Sequence, residues 1–258
     1  MRGAIAIACF CIAGAGLAVP PGSEPVAPFR ILGNLYYIGA SDICSYLIAT
    51  PKGLIVIDGG YAEMAPMIRA NIEKLGFHLR DVKILLNTHA HLDHAGGLAQ
   101  LKQWTGAKFL ASKGDAALLA RGGSDDPQFG NRLTFPPIEP DAVFGDGHRV
   151  VLGGTTLVAH ITPGHTAGCT TWTTRIRGKN IVIFGSPTVP AEYKLTPELR
   201  AQYRHTFDLL KSLPCDIPLG SHGTFFDLDA KIAHRKSFID PAGCRAFIAS
   251  MERAFEAR

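Results

Sequence analysis

One short segment of the chain concentrates the side chains best able to bind a metal ion. Residues 89–94 read His-Ala-His-Leu-Asp-His, so four potential ligands lie within six residues: His89, His91, Asp93 and His94. In an extended segment, side chains two residues apart point the same way, so the first two histidines can close on one ion. A following bend would turn the other two side chains toward a neighbouring position. Imidazole and carboxylate ligands with no cysteine nearby are typical of catalytic zinc.

Two further histidines lie between glycines, where a side chain can approach a shared site closely. His165 stands in Thr-Pro-Gly-His-Thr-Ala-Gly, directly after a predicted strand, and His222 stands in Leu-Gly-Ser-His-Gly. We expect the histidines without such a setting to be ordinary surface or core residues. These are His78, His148, His160, His205 and His234.

The elements that must position these histidines alternate between strands and helices. A buried strand over residues 82–86 runs into the cluster, and an earlier strand ends at Asp58, before Gly59 and Gly60. The other predicted strands span residues 35–37, 45–49, 108–111, 150–161, 170–176 and 180–184. Helices are predicted over residues 64–75, 98–104, 116–120, 198–211 and 242–255, with a long loop at 122–140. Strands and helices thus follow one another in two similar successions along the chain, with polar clusters at the strand ends. This pattern predicts an α/β fold built as an αββα sandwich.

Composition limits what the chain can be. With 258 residues, of which 47% are hydrophobic, it can form one catalytic domain with a sizeable core. The net charge of +4 comes from lysines and arginines spread along the whole length. Because no basic block would follow a phosphate backbone, we expect no nucleic-acid partner.

The N-terminus has the pattern of a secretory signal. Arg2 precedes an apolar run from residue 3 to residue 19, and Gly-Leu-Ala at residues 16–18 offers the small residues that a signal peptidase reads. We therefore expect residues 1–18 to be a signal peptide and residues 19–258 to be the catalytic domain, with residues 19–28 as a surface arm. The run is short for a membrane span, so a periplasmic or secreted protein without stable membrane association is expected. A lipoprotein site at Cys9 or Cys11 stays open.

The cysteine pattern leaves the disulfide connectivity open. Removing residues 1–18 leaves four of the six cysteines, Cys44, Cys169, Cys215 and Cys244. Four cysteines allow three complete pairings, and an oxidising compartment permits them. No spacing matches a Cys-x-x-Cys metal or redox motif.

In these motifs the chain, from about Phe29 to near its C-terminus, resembles the metallo-β-lactamase superfamily. The resemblance implies two zinc ions. It assigns His89, His91 and His165 to the first, and Asp93, His94 and His222 to the second. It also implies that Asp58 orients the metal-binding segment rather than binding metal directly.

A serine points to one branch of that superfamily. Glyoxalase II-type enzymes and lactonases have an aspartate that bridges both metals after a strand ending Phe-x-Gly-Asp, whereas this chain reads Ile-Phe-Gly-Ser and ends in Ser186. Subclass B3 β-lactamases use serine there. By that resemblance, Ser186 and Thr188 contact the substrate, and Cys215 pairs with Cys244. The other two cysteines are then free and buried, and Trp172 is a core residue.

The resemblance implies a monomeric zinc-dependent β-lactamase. It would open the β-lactam amide of penicillins, cephalosporins and carbapenems with a metal-bound hydroxide, which Asp93 orients and from which it could move the proton. Two alternatives remain: a lactonase or thioesterase of the same fold, and a zinc-binding protein that acts in binding or sensing. The first lacks its bridging aspartate here, and intact ligands disfavour the second.

Overall fold

Two β-sheets pack face to face in the computed structural model, which describes residues 20–258. One sheet has seven strands in sequence order, and the other has five in the order β12-β11-β10-β9-β8. The first sheet comprises β1 (Phe29–Leu32), β2 (Leu35–Tyr37), β3 (Tyr46–Thr50), β4 (Gly53–Ile57), β5 (Val82–Leu86), β6 (Lys108–Ser112) and β7 (Ala142–Phe144). The second comprises β8 (Arg149–Leu152), β9 (Thr155–Ile161), β10 (Thr170–Ile176), β11 (Lys179–Phe184) and β12 (Ile217–Gly220).

Helices cover the outer faces of both sheets, so the predicted αββα sandwich is confirmed. The α-helices are α1 (Ala65–Lys74), α2 (Leu92–Ala95), α3 (Leu98–Thr105), α4 (Ala116–Ala120), α5 (Pro197–Ser212), α6 (Leu228–Ala233) and α7 (Pro241–Glu256). Short 3-10 helices span Ala62–Met64, Leu79–Asp81 and Gly223–Phe226. The strands β4 to β7 pair in parallel, and so do β11 and β12. Parallel neighbours require a crossover, which the intervening helices supply.

The core lies in three layers. Between the sheets, fully buried aromatic and aliphatic side chains interlock, among them Tyr37, Tyr46 and Trp172. Outside the first sheet, Ile68 and Ile72 of α1 pack against its outer face. Outside the second sheet, α5 and α7 supply a further apolar cluster. Because helices cover the outer face of the first sheet, its strands β3 and β4 are mostly apolar, whereas β10 at the centre of the second sheet is rich in threonine.

The structure corrects the strand prediction in two respects. The single strand predicted over residues 150–161 is two strands, because Gly153 and Gly154 turn the chain between β8 and β9 with positive φ angles of 52° and 87°. The short strands β1, β7 and β12 had not been predicted. Each has only three or four residues, and β12 lies at a sheet edge and contains Pro218, which is tolerated at such an edge.

The predicted signal peptide at residues 1–18 lies outside the described residues, as do Cys9 and Cys11. Within residues 20–258, no helix is both long enough and apolar enough to cross a membrane. The part of the predicted arm that is described lies along the segment before β3, where the backbone N–H groups of Asp42 and Ile43 both donate to the carbonyl of Gly22.

A disulfide joins Cys215, just before β12, to Cys244 in α7, as the resemblance implied. Among the described cysteines, Cys44 and Cys169 are free and buried. The disulfide closes a loop over a sequence separation of 29. We expect a Cys215→Ser/Cys244→Ser variant to lose about 2–4 kcal/mol of unfolding free energy, because its unfolded chain is less constrained. Urea unfolding at fixed zinc measures this, and an unchanged midpoint would contradict it.

Candidate metal centre

The candidate ligands follow the ends of three strands, at one edge of the sandwich. His89 and His91 follow β5, and α2 carries Asp93 and His94 directly after them. His165 stands in the turn after β9, and His222 follows β12. Since β9 and β12 run in the same direction within one sheet, their carboxyl ends reach the same edge. Sequence positions more than 130 residues apart are thereby gathered into one site.

The first group consists of His89, His91 and His165, whose potential ligand atoms lie within 4.8 Å of one another. His91 Nδ1 is 3.1 Å from His165 Nε2, and the ring of His89 lies 4.9 Å and 4.7 Å from those of His91 and His165 between centroids. Burial lowers the pKa of His89 and His165 well below the usual value and that of His91 to about 4. The three imidazoles are therefore neutral at pH 7 and offer lone pairs to a metal.

The second group is formed by Asp93, His94 and His222. Asp93 Oδ2 is 3.2 Å from His94 Nε2 and 3.7 Å from His222 Nε2, and the two Nε2 atoms are 3.3 Å apart. Burial lowers the pKa of His94, but the carboxylates of Asp93 and Asp58 outweigh it and raise this pKa to about 10. Burial on its own would raise the pKa of Asp93. The neighbouring histidines, His94 foremost, outweigh burial and bring this pKa below its usual range. Without a metal, this pair is an ion pair.

The donor set fits zinc. Five imidazoles and one carboxylate converge, with paired ring nitrogens facing each other at hydrogen-bond distance. The desolvation of so many buried imidazoles is offset when a metal cation lies between them. All six ligands predicted from the sequence thus lie together, and among the described residues neither metal-ligand group includes any of the other five histidines. One of those five, His160, instead contacts Thr173 Oγ1 at 2.8 Å on the sheet.

Asp58 lies behind the first group and not in it. Its Oδ1 accepts a hydrogen bond from the Thr88 N–H at 2.7 Å, and its Oδ2 accepts one from Thr88 Oγ1 at 2.8 Å. Thr88 Oγ1 lies 3.1 Å from His89 Nδ1, and Asp58 Oδ2 lies 3.5 Å from His94 Nδ1. Asp58 adopts a left-handed backbone with φ of 63°, which is uncommon for a residue other than glycine. These contacts are those of a side chain that orients the metal-binding segment.

Ser186 and Thr188 lie beside His165. Ser186 is buried, and its Oγ lies 2.9 Å from Thr188 Oγ1. The Thr188 carbonyl accepts a hydrogen bond from His165 Nδ1 at 3.0 Å, which leaves His165 Nε2 free to bind a metal. The two hydroxyls are therefore close enough to the first group to contact a substrate there, and that role stays a prediction.

The long loop predicted at residues 122–140 forms one wall of the site. Asp126 Oδ1 accepts hydrogen bonds from the N–H groups of Gln128 and Phe129, and its Oδ2 lies 3.8 Å from His91 Nε2. This turn brings the Phe129 ring to 5.4 Å from that of His91. Tyr193, whose hydroxyl donates to the His165 carbonyl at 2.6 Å, continues the aromatic wall.

Sequence reasoning missed Asp42. Its Oδ2 lies 2.8 Å from His222 Nδ1, and its Oδ1 accepts a hydrogen bond from the Thr224 N–H at 2.9 Å. Burial raises its pKa, but the hydrogen bonds from His222 and Thr224 lower it overall, so Asp42 is ionised at neutral pH. Nothing in the sequence around Asp42 marks it, because its partner lies 180 residues away.

Removing the Asp42 carboxylate should weaken metal binding at the second group. We expect Asp42→Ala to lower zinc affinity there by about 10–100-fold, because His222 loses the partner that fixes its ring and tautomer. Competition with a chromogenic chelator measures both affinities. The exposed Asp208 serves as the control through Asp208→Asn, and an equal loss at both groups would contradict the assignment.

Comparisons with known proteins agree with this geometry. A family model described as the metallo-beta-lactamase superfamily matches residues 39–222. The native FEZ-1 metallo-beta-lactamase from Legionella gormanii is 43% identical, with a TM-score of 0.90 over 92% of this chain and 97% of that one. LRA-12, a class B3 di-zinc metallo-beta-lactamase from an Alaskan soil metagenome, is 38% identical, with a TM-score of 0.88 over 93% and 97%.

The match to a curated relative covers only part of each chain. The hydroxyacylglutathione hydrolase GloC of Haemophilus influenzae is 35% identical over 130 residues, which are 48% of this chain. The chain spans 57% of the length of that relative. The shared region is therefore partial, unlike the match to the solved structures.

Proposed function

The chain belongs to the metallo-β-lactamase superfamily, and from that premise we propose that it is a zinc-dependent β-lactamase of the subclass B3 type. The observation that carries the proposal is the end of β11, where Ser186 stands beside an otherwise complete set of six ligands. Enzymes of the glyoxalase II type would need a bridging carboxylate there. A hydroxyl is a weak zinc ligand, so this position is left to the substrate.

We assign His89, His91 and His165 to one zinc ion, and Asp93, His94 and His222 to the other. Bound zinc supplies Lewis acidity, which makes water nucleophilic at neutral pH and stabilises negative charge on a carbonyl oxygen and on a departing amide nitrogen. The chain's part is to orient these imidazoles and, in the first group, to keep them neutral by burial. Thr88, which contacts Asp58, orients His89, and the Thr188 carbonyl orients His165.

Asp93 would orient the attacking water and move its proton. Its Oδ2 faces His94 and His222, so Oδ1 is left to accept a hydrogen bond from that water and to pass the proton to the amide nitrogen. The hydroxyls of Ser186 and Thr188 would donate to the carboxylate that β-lactams carry, and Phe129 would pack on their apolar part.

A covalent acyl-enzyme has no support from the described residues around the site. Burial raises the pKa of the Cys169 thiol to about 12 and that of Cys44 above its usual value as well. Both thiols are therefore protonated at neutral pH and are poor nucleophiles. The hydroxyl of Ser186 contacts Thr188 rather than a base.

The alternative is a thioesterase or lactonase on the same fold, which the match to GloC favours. The missing bridging carboxylate at Ser186 argues against it. Both functions would use the six ligands that this chain has, so turnover of competing substrates is the measurement that separates them.

The test is hydrolysis by the zinc-loaded protein of a chromogenic cephalosporin, a carbapenem, a glutathione thioester and an acyl-homoserine lactone, each with and without a chelator. Turnover of the two drugs that is lost on chelation and in Asp93→Ala is the expected result. If zinc binds and only the thioester or the lactone is cleaved, the alternative is correct. If zinc raises the melting temperature without any hydrolysis, the protein binds zinc without being an enzyme.

We also propose export as a monomer, with residues 1–18 removed as a signal peptide and residues 19–258 as the mature domain. The Cys215–Cys244 disulfide supports this, because such bonds persist in oxidising compartments. The periplasm is also where a β-lactamase would meet its substrate.

A further inference from the structure

A buried carboxylate outside both ligand groups connects the segments that carry the first one. Asp115 lies at the start of α4 and is 1% exposed. Its side chain does not cap that helix. Instead, its Oδ2 accepts hydrogen bonds from the Ala90 N–H at 3.0 Å and from Thr166 Oγ1 at 2.8 Å, while its Oδ1 accepts one from the Gly168 N–H at 2.7 Å.

Two of the three donors are directly adjacent in sequence to ligands of the first group. Ala90 lies between His89 and His91, and Thr166 directly follows His165. These ligands come from different sheets, since β5 belongs to the seven-stranded sheet and β9 to the five-stranded one. One carboxylate thus spans the junction between the sheets at the point where the imidazoles must be held at a fixed separation.

The backbone is shaped for this close contact. A Cβ on Gly168 would overlap Ser112 Oγ and the backbone nitrogen of Asp115, and a Cβ on Gly114 would come within 2.6 Å of the Ala167 carbonyl oxygen. The turn before α4 therefore packs backbone against backbone on the turn that holds His165. Glycine at both positions permits an approach that any larger residue would prevent.

Charge makes the carboxylate difficult to replace. Each donor points one hydrogen at Asp115, and only a carboxylate accepts on both oxygens. An asparagine would direct its NH₂ group at the N–H of either Ala90 or Gly168, so one buried N–H would lose its acceptor. Hydrogen bonds to an ionised acceptor are also roughly twice as strong as neutral ones.

We infer that Asp115 is a positioning residue that sets the separation between the His89–His91 pair and His165, and thereby the affinity of the first metal position. The inference rests on the metal centre of the proposed function but not on its substrate. It predicts an effect confined to one of the two metal positions, which general destabilisation of the fold would not produce.

The experiment measures both zinc affinities of the full chain by chelator competition, and follows the visible spectrum of the cobalt-substituted protein. Asp115→Asn should weaken zinc at the first position by about 10–100-fold and shift its cobalt bands, with the second position unchanged. Asp141→Asn is the matched control, because Asp141 also accepts a backbone hydrogen bond, from Phe109 at the other end of β6, far from the metals.

A second pair of variants tests the inference independently in case Asp115→Asn does not fold. Thr166→Val removes one donor and should weaken the first position by about fivefold, whereas Thr166→Ser keeps the hydroxyl and should restore the affinity. Unchanged affinities in both Asp115→Asn and Thr166→Val, or equal losses at both metal positions, would overturn the inference alone. A full chain that binds no zinc would overturn the proposed function, and the inference with it.

Discussion

Asp93→Asn is expected to lower kcat/KM for a cephalosporin by about 10²–10⁴-fold, the range typical for loss of a positioned general base. Asparagine keeps the shape of the side chain, so the 3.2 Å approach to His94 Nε2 can persist. It removes the negative charge that keeps His94 protonated in the metal-free chain and that would help to hold a cation in the metal-bound one. A neutral amide is a weaker zinc ligand and cannot take a proton from water.

The measurement is steady-state kinetics at saturating zinc, with zinc content determined in parallel. Asp208→Asn, an exposed carboxylate on α5, is the control for loss of one negative charge. If Asp93→Asn retained its zinc and stayed within about tenfold of the parent, a loss below the range for general-base catalysis, Asp93 would not be the residue that orients the water. Loss of one zinc together with activity would show that its main role is as a ligand.

Trp172→Ala should cost about 3–5 kcal/mol of unfolding free energy, the range for removing a large buried aromatic side chain. Trp172 is fully buried between the two sheets, and its ring lies 5.3 Å from that of Phe144. Its indole N–H also donates to the Asn87 carbonyl at 3.0 Å, two residues before His89. The substitution would therefore leave a cavity and an unpaired carbonyl at the entrance to the metal-binding segment.

Urea unfolding of the chelated protein tests this, since removing zinc keeps metal binding out of the measured free energy. The chain has only one other tryptophan, Trp104, which is 37% exposed and therefore provides the matched control. Trp104→Ala should cost about 1 kcal/mol or less, as expected for a surface position. Equal losses in the two variants would contradict the assignment of Trp172 to the core.

The sequence by itself indicated the candidate ligands of the metal centre and determined the type of fold. His89, His91, Asp93 and His94 could be identified because their information is local, in six consecutive residues after an apolar strand. The helix ending near Gly76 and the central strands could be predicted for the same reason, since hydrophobic period and glycine caps act over a few residues. Their glycine-flanked settings marked His165 and His222 as candidates, but assigning each to a particular metal required the resemblance to a known family, because a local setting does not show which ion the side chain reaches.

Only the tertiary structure decided which side chains support those ligands. Asp42 meets His222 across 180 residues, and Asp115 meets Gly168 across 53. An aspartate before a helix or in a loop looks the same in sequence whether it is solvated or buried, and Asp115, directly before α4, is buried without capping that helix. The short edge strands β7 and β12 likewise depend on a neighbouring strand for their hydrogen bonds. Residue type thus indicates the candidate metal ligands, whereas the packing of the two sheets decides which side chains contact and orient them.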